Sequence, residues 1–136
     1  MSYDISLKDP VTKKTIEFDT PHQMRGGTFA VGGTLMAWLN VTYNYSCWYY
    51  HDGVFPNGKG LRSIYGLSAA DSVPVLESAI QKIQSFDENL FLDRIDECKQ
   101  NGISGYWLPT RRNALTPLYQ LLAMAKMRPD GVWDGD

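Results

Sequence analysis

Two cysteines and two histidines are all that this 136-residue chain offers to thiol or soft-metal chemistry. Cys47 and Cys98 share no short ligand spacing, and His22 and His51 form no His-x-x-x-His pair, so zinc-finger and metalloprotease patterns are excluded. Without a partner at such spacing the cysteines read as two buried thiols rather than a bridge. A nucleophilic reading of Cys47 would need His51, four residues on, to share a helix face with it and lower its pKa. Phosphate loops are missing too. The pairs Gly26-Gly27 and Gly32-Gly33 precede no Lys-Ser or Lys-Thr, and no strand and helix flank them as a dinucleotide fold requires.

Long apolar runs are also absent, with no stretch near the roughly 18 residues of a membrane span. The opening Met1-Ser2-Tyr3-Asp4-Ile5 lacks the basic and apolar regions of a signal peptide, so a cytoplasmic protein is expected. Asn40-Val41-Thr42 and Asn44-Tyr45-Ser46 match the glycosylation pattern, but without a secretory signal they read as coincidences. Neither sign of charge dominates. A formal net charge of -2 disfavours bulk nucleic-acid or anionic-membrane binding, and Arg111-Arg112 is the one seed of a basic patch. Carboxylates such as Asp87-Glu88 and Asp93 with Asp96-Glu97 lie beside Arg94 and Lys99 and read as a solvated helix face, because acid/base pairs need enclosure to split their pKa values. Asp130, Asp134 and Asp136 lack the ligand spacing of a calcium loop. Trp133 reads as a pin for that tail.

What the chain has in quantity is aromatic surface. Thirteen positions from Trp38 to Tyr50 hold six of its seventeen aromatics, interleaved with Asn40, Thr42, Asn44 and Ser46. Rings of this kind bring large buried area and, in Tyr and Trp, a polar handle that must find a partner. Such a segment nails down a core or lines a pocket. The apolar fraction of 43% and charged fraction of 21% are ordinary for globular proteins, and the length suits a single domain spanning residues 1–136.

Tyr3, Ile5 and Leu7 alternate with polar residues, as do Ile16 and Phe18, and residues 9–14 carry turn chemistry between them, which predicts an N-terminal β-hairpin. The glycine-marked stretch from Gly26 to Thr34 reads as a loop or short edge strand. A third strand is expected to about Thr42, followed by a helix through His51 that Asp52-Gly53 and Pro56-Asn57-Gly58 end. Val73, Leu76, Ala79, Ile80, Ile83 and Phe86 make one apolar helical stripe, capped by Asp71 or Ser72 with Pro74 in the first turn and expected to pack on the sheet. Leu92, Ile95 and Cys98 make a second, stopped by Asn101-Gly102. The last helix carries Leu118, Leu121, Leu122 and Ala125 between Thr116-Pro117 and Pro129; a preceding turn from Asn113 would make Pro117 a kink. The fold class is therefore α+β, the hairpin and third strand packing against three to four helices.

Several blocks together form a fingerprint: Tyr3-Asp4-Ile5 with Asp9-Pro10-Val11-Thr12, Gly26-Gly27-Thr28, Ala30-Val31-Gly32-Gly33-Thr34 and the run Trp38 to Ser46. Arg62-Ser63-Ile64-Tyr65-Gly66, Pro74-Val75-Leu76-Glu77 and the tail Ala125 to Asp136 complete it. Nearly end to end, the chain resembles a small family of phage, prophage and bacterial proteins to which no established reaction is attached. At Arg112 it departs from that family, where glycine often stands. The resemblance implies a phage or prophage accessory protein, working in the host cytoplasm. By analogy with other small phage proteins, counter-defence by sequestering a nucleotide signal is the expected kind of role.

The residues themselves point to recognition rather than catalysis. Tyr43, Tyr45, Trp48 and Tyr65 offer stacking faces, Asn40 and Asn44 offer donors and acceptors, and Arg62 and Arg112 offer planar forks suited to phosphate or carboxylate. All of these but Trp48 are the expected ligand-binding residues for a small anionic or nucleotide-like molecule, with no catalytic residue, metal or cofactor assigned. Two alternatives stand beside this: an interaction module forming a homo-oligomer or gripping a host protein, and a small nucleotide-acting enzyme, which would need convergent carboxylates.

Overall fold

The computed structural model describes residues 1–22 and 34–136, so the paired glycines from Gly26 to Gly33 lie outside the described residues. Its strands are β1 (Ser2–Lys8), β2 (Glu17–His22), β3 (Thr34–Met36), β4 (Trp38–Thr42) and β5 (Val132–Gly135). Its α-helices are α1 (Ser46–Tyr49), α2 (Ala69–Ser85), α3 (Leu92–Gln100) and α4 (Arg111–Met127). The class is α+β, as expected.

The alternation of β1 sends Tyr3, Ile5 and Leu7 into the core and leaves Ser2, Asp4, Ser6 and Lys8 on the other face. It runs antiparallel between β4 and β5, with Tyr3 opposite Val41, Ile5 opposite Leu39 and Leu7 opposite Trp133. All six are buried. The turn after β1 is built on Asp9, whose Oδ1 accepts from the amides of Val11 (2.8 Å) and Thr12 (3.0 Å), and a bridge between Lys8 and Thr15 closes it. Beyond that bridge the hairpin's strands part. β2 pairs with β3 in a second, two-stranded sheet, while β1 takes β4 and β5 as neighbours.

Three boundaries differ from the sequence reading, each for a local reason. The helix expected through His51 is a 3-10 turn over Tyr43–Tyr45 followed by the single turn of α1, because Thr42 Oγ1 already caps the chain by accepting from the Asn44 amide. α2 begins at Ala69 rather than near Asp71: Ser68 is held extended by a bridge to Val132, and its Oγ accepts from the Asp71 amide at 3.1 Å. Pro74 thus sits inside the helix. α4 begins at Arg111, five residues before Thr116, since Thr110 Oγ1 caps it by accepting from the Asn113 amide at 3.1 Å. Pro117 is likewise internal, and Thr116 Oγ1 donates to the Arg112 carbonyl at 3.2 Å in the turn that the ring disturbs.

α2 makes its most extensive contact with α4 rather than with the sheet, and α4 is the helix that reaches β4. The two helices are 17 residues each, so their apolar stripes cover one another along their length. β5 is the element the periodicity did not announce. Trp133 anchors it, fully buried, with its Nε1 donating to Ser72 Oγ at 2.8 Å and its backbone exchanging bonds with Gly66 and Leu67. Gly131 lets this segment approach: a Cβ there would fall 2.6 Å from Leu7 Cγ.

Candidate functional site

The aromatic block divides between core and surface. Tyr45, Trp48 and Tyr49 are fully buried, and each sends its polar handle to a backbone carbonyl between residues 106 and 114. Tyr45 donates to Tyr106, Trp48 Nε1 to Pro109 at 2.8 Å and Tyr49 to Ala114 at 2.7 Å. These bonds each contribute about 0.5–1.5 kcal/mol net and tie the loop before α4 and the first turn of α4 to the middle of the chain. Burial pushes the Tyr45 and Tyr49 hydroxyls well above the ordinary phenol range, so both remain protonated donors. Asn44 joins them at the rim, its Nδ2 donating to the Trp107 carbonyl at 3.0 Å.

The remaining tyrosines of this region gather around Arg62. Its guanidinium carbon lies 4.8 Å from the Tyr3 ring centroid and 5.6 Å from that of Tyr43, two rings that themselves meet edge to face at 4.7 Å. Nη2 donates to the Tyr43 hydroxyl (3.1 Å), Nη1 to the Tyr50 hydroxyl (3.4 Å) and Nε to the Asp136 carbonyl oxygen (2.8 Å). Three of the five N–H donors of the fork are thereby engaged, and two are left over among the described residues. From Asp136 a polar chain continues across the sheet. Its Oδ1 accepts from the Asp4 amide at 3.0 Å, and Asp4 Oδ1 accepts from Asn40 Nδ2 at 2.8 Å.

Tyr65 completes the cluster from below. Its hydroxyl is shielded from solvent and has no hydrogen-bond partner among the described residues, and burial followed by the nearby Asp136 carboxylate raises its pKa. Gly135 crosses its tip so closely that a Cβ there would stand 2.4 Å from Tyr65 Cζ. Arg112 is elsewhere, exposed on the first turn of α4, with no contact to this group among its hydrogen bonds. The structure thus brings together Tyr43, Arg62 and Tyr65, leaves Asn40 bonded to Ser2 and Asp4 at the far end of the polar chain, seats Tyr45 in the core with Asn44 at its rim, and leaves Arg112 apart.

Beside the cluster runs an open groove of about 710 Å³, walled by residues 49–58 on one side and by Pro74, Val75, Ser78 and Lys82 of α2 on the other. Tyr50 belongs to both places. It is 45% exposed, lines the groove, and takes the Arg62 hydrogen bond on its hydroxyl. Gly60, at φ +58°, lets the chain pass beneath its ring, where a Cβ would meet the ring carbons at 3.1 Å. Lys82 Nζ donates to the Gly53 carbonyl across the groove, and His51 packs edge-on against Phe86 (4.9 Å) and Phe91 (5.7 Å).

That packing bears on Cys47. Burial raises its thiol to about 11, which leaves almost no thiolate at neutral pH, and its Sγ faces the Asn44 carbonyl. Among the described residues no three His, Cys, Asp or Glu side chains gather as a metal site would need, and no helix is long and apolar enough to cross a membrane. Sequence reasoning did not nominate Tyr3, Tyr50, Lys82 or Asp136. Tyr3 looked like one more core residue of an alternating strand, and Asp136 like a tail charge. Only Tyr50, inside the aromatic block, carried a signal.

Compared with family models, curated proteins and solved structures, the chain matches none of them.

Proposed function

We propose that this protein binds a small anionic, nucleotide-like molecule without transforming it, and that the ligand lies in the groove beside the Arg62 cluster. One observation carries the reading: a half-exposed ring, Tyr50, stands in the groove wall while its hydroxyl holds the guanidinium of Arg62. A planar base finds a stacking face there, and a phosphate finds the Lys82 ammonium in the groove wall, with the leftover donors of Arg62, itself outside the lining, beyond the Tyr50 hydroxyl. The groove volume of about 710 Å³ lies inside the range of roughly 300–1,000 Å³ typical of small-molecule sites. Binding without turnover suits the chemistry, because the groove holds Asp52 as its one carboxylate and no activated nucleophile. A phage or prophage accessory role of the sequestering kind needs no more than this.

The test is a thermal-shift and calorimetric screen of linear and cyclic nucleotides. A saturable rise in melting temperature is expected from at least one, since a ligand at about 100 times its Kd adds roughly 2.7 kcal/mol to stability. Tyr50→Ala should abolish the rise, and the nucleotide should be recovered chemically intact after denaturation. A screen in which no nucleotide shifts the transition refutes the proposal. A converted nucleotide would favour an enzyme instead.

A further inference from the structure

The Arg62 cluster contains a contradiction that its own geometry resolves. A fork suited to phosphate is already occupied: the Asp136 carbonyl oxygen accepts from its Nε, and the Asp136 side chain is held in turn by the Asp4 amide. A phenol with nothing to bond to is buried next to it, under Gly135. Buried hydroxyls nearly always find partners, so an orphan beneath an exposed segment marks a place where another arrangement satisfies it.

We infer that Gly135 and Asp136 occupy the anion site as an internal stand-in, with the Asp136 carbonyl oxygen on Arg62 where a ligand phosphate oxygen would sit, and that an anionic ligand binds by displacing them. This rests on the ligand reading above and adds its regulation. Displacement is local. Trp133 stays buried, bonded to Ser72 and to the 66–67 backbone, so the segment hinges after it. Only the pairings Ile5 with Gly135 and Ser6 with Asp134 open, while Leu7 with Trp133 and Lys8 with Val132 persist. The Gly135 amide is already turned away from the ladder and donates to the Asp134 side chain at 2.9 Å. Asp134, Gly135 and Asp136 are all exposed. Moving them takes the Asp136 carbonyl oxygen off Arg62, frees Nε, and uncovers the Tyr65 hydroxyl as a further donor. The emptied site then offers a guanidinium edge and neutral phenols to an anion, which is electrostatic complementarity that the occupied site lacks.

The experiment compares the full chain with Gly135→Ala and Asp136→Ala, using inorganic pyrophosphate as the probe. Gly135→Ala drives a Cβ into the rigid Tyr65 ring and lifts the segment, and Asp136→Ala removes the clasp to the Asp4 amide. Both should bind pyrophosphate about tenfold more tightly than the parent, the gain expected when the competent state ceases to be a minor one. In the parent, pyrophosphate should also speed hydrogen exchange at the Asp4 amide, the group that Asp136 protects. Equal affinities in all three proteins with unaltered Asp4 exchange would overturn the inference and leave the ligand reading standing. If neither pyrophosphate nor any nucleotide binds to any of the three, the ligand reading falls and takes this one with it.

Discussion

Replacing Tyr65 by Phe deletes one atom, and the structure gives two opposite consequences for it. In the unliganded protein the hydroxyl is buried with no partner among the described residues, so its desolvation is uncompensated. An unsatisfied buried polar group costs about 1–3 kcal/mol, against which the lost oxygen gives up a few dispersion contacts with Gly135 worth about 0.1–0.2 kcal/mol each. The ring stays where it is. Tyr65→Phe should therefore stabilise the fold by about 1 kcal/mol, raising the melting temperature by roughly 3–4 °C for a domain of this size. Binding should move the other way. If the uncovered phenol donates to a bound anion, its loss removes a hydrogen bond to a charged group worth about 1.5–3 kcal/mol, so pyrophosphate affinity should fall at least tenfold. Urea unfolding and calorimetric titration of the same preparation read both quantities. A variant less stable than the parent by 1 kcal/mol or more would refute the reasoning, because it would mean that the hydroxyl has a stabilising partner in the folded protein.

Two further outcomes follow from other parts of the fold. Gly131→Ala should destabilise by about 1–3 kcal/mol, since its Cβ would stand 2.6 and 2.8 Å from Leu7 side-chain carbons and 3.0 Å from Ile16 Cδ1 in a packed core; an unchanged urea midpoint would show that the segment before β5 yields freely. Acid should weaken the protein below about pH 4. Asp9 is held below its ordinary value of 3.8 by the Thr12 and Val11 amides and by Arg128, and Asp130 by its hydrogen bonds to Arg128. For carboxylates depressed in the folded state, the stabilisation is complete above the unfolded pKa and disappears as pH falls through the folded one. Melting curves between pH 6 and 2 should show the decline, and Arg128→Ala should make it shallower; identical acid profiles for the two proteins would contradict this assignment.

Several features were legible because they are local. The stripes of α2, α3 and α4 recur at helical spacing, and the alternation of Tyr3, Ile5 and Leu7 marks a half-buried strand whatever its neighbours. Cap choice was less legible. Thr110 and Ser68 won over Thr116 and Asp71 because the chain before each helix is held extended, and an extended residue is what a cap requires. Tyr43 and Tyr45, two residues apart in the aromatic block, ended in different places, the one bonded to Arg62 and the other in the core.

Sequence by itself determined the α+β class, the helical segments and the concentration of rings between Trp38 and Tyr50, since periodicity and composition act over a few residues. Tertiary structure alone decided which ring is core and which gathers round Arg62, because each polar handle is settled by a distant partner. Tyr45 and Trp48 find carbonyls 61 residues away, Tyr49 finds one 65 away, and Arg62 meets Asp136 across 74. No local pattern encodes a bond of that reach.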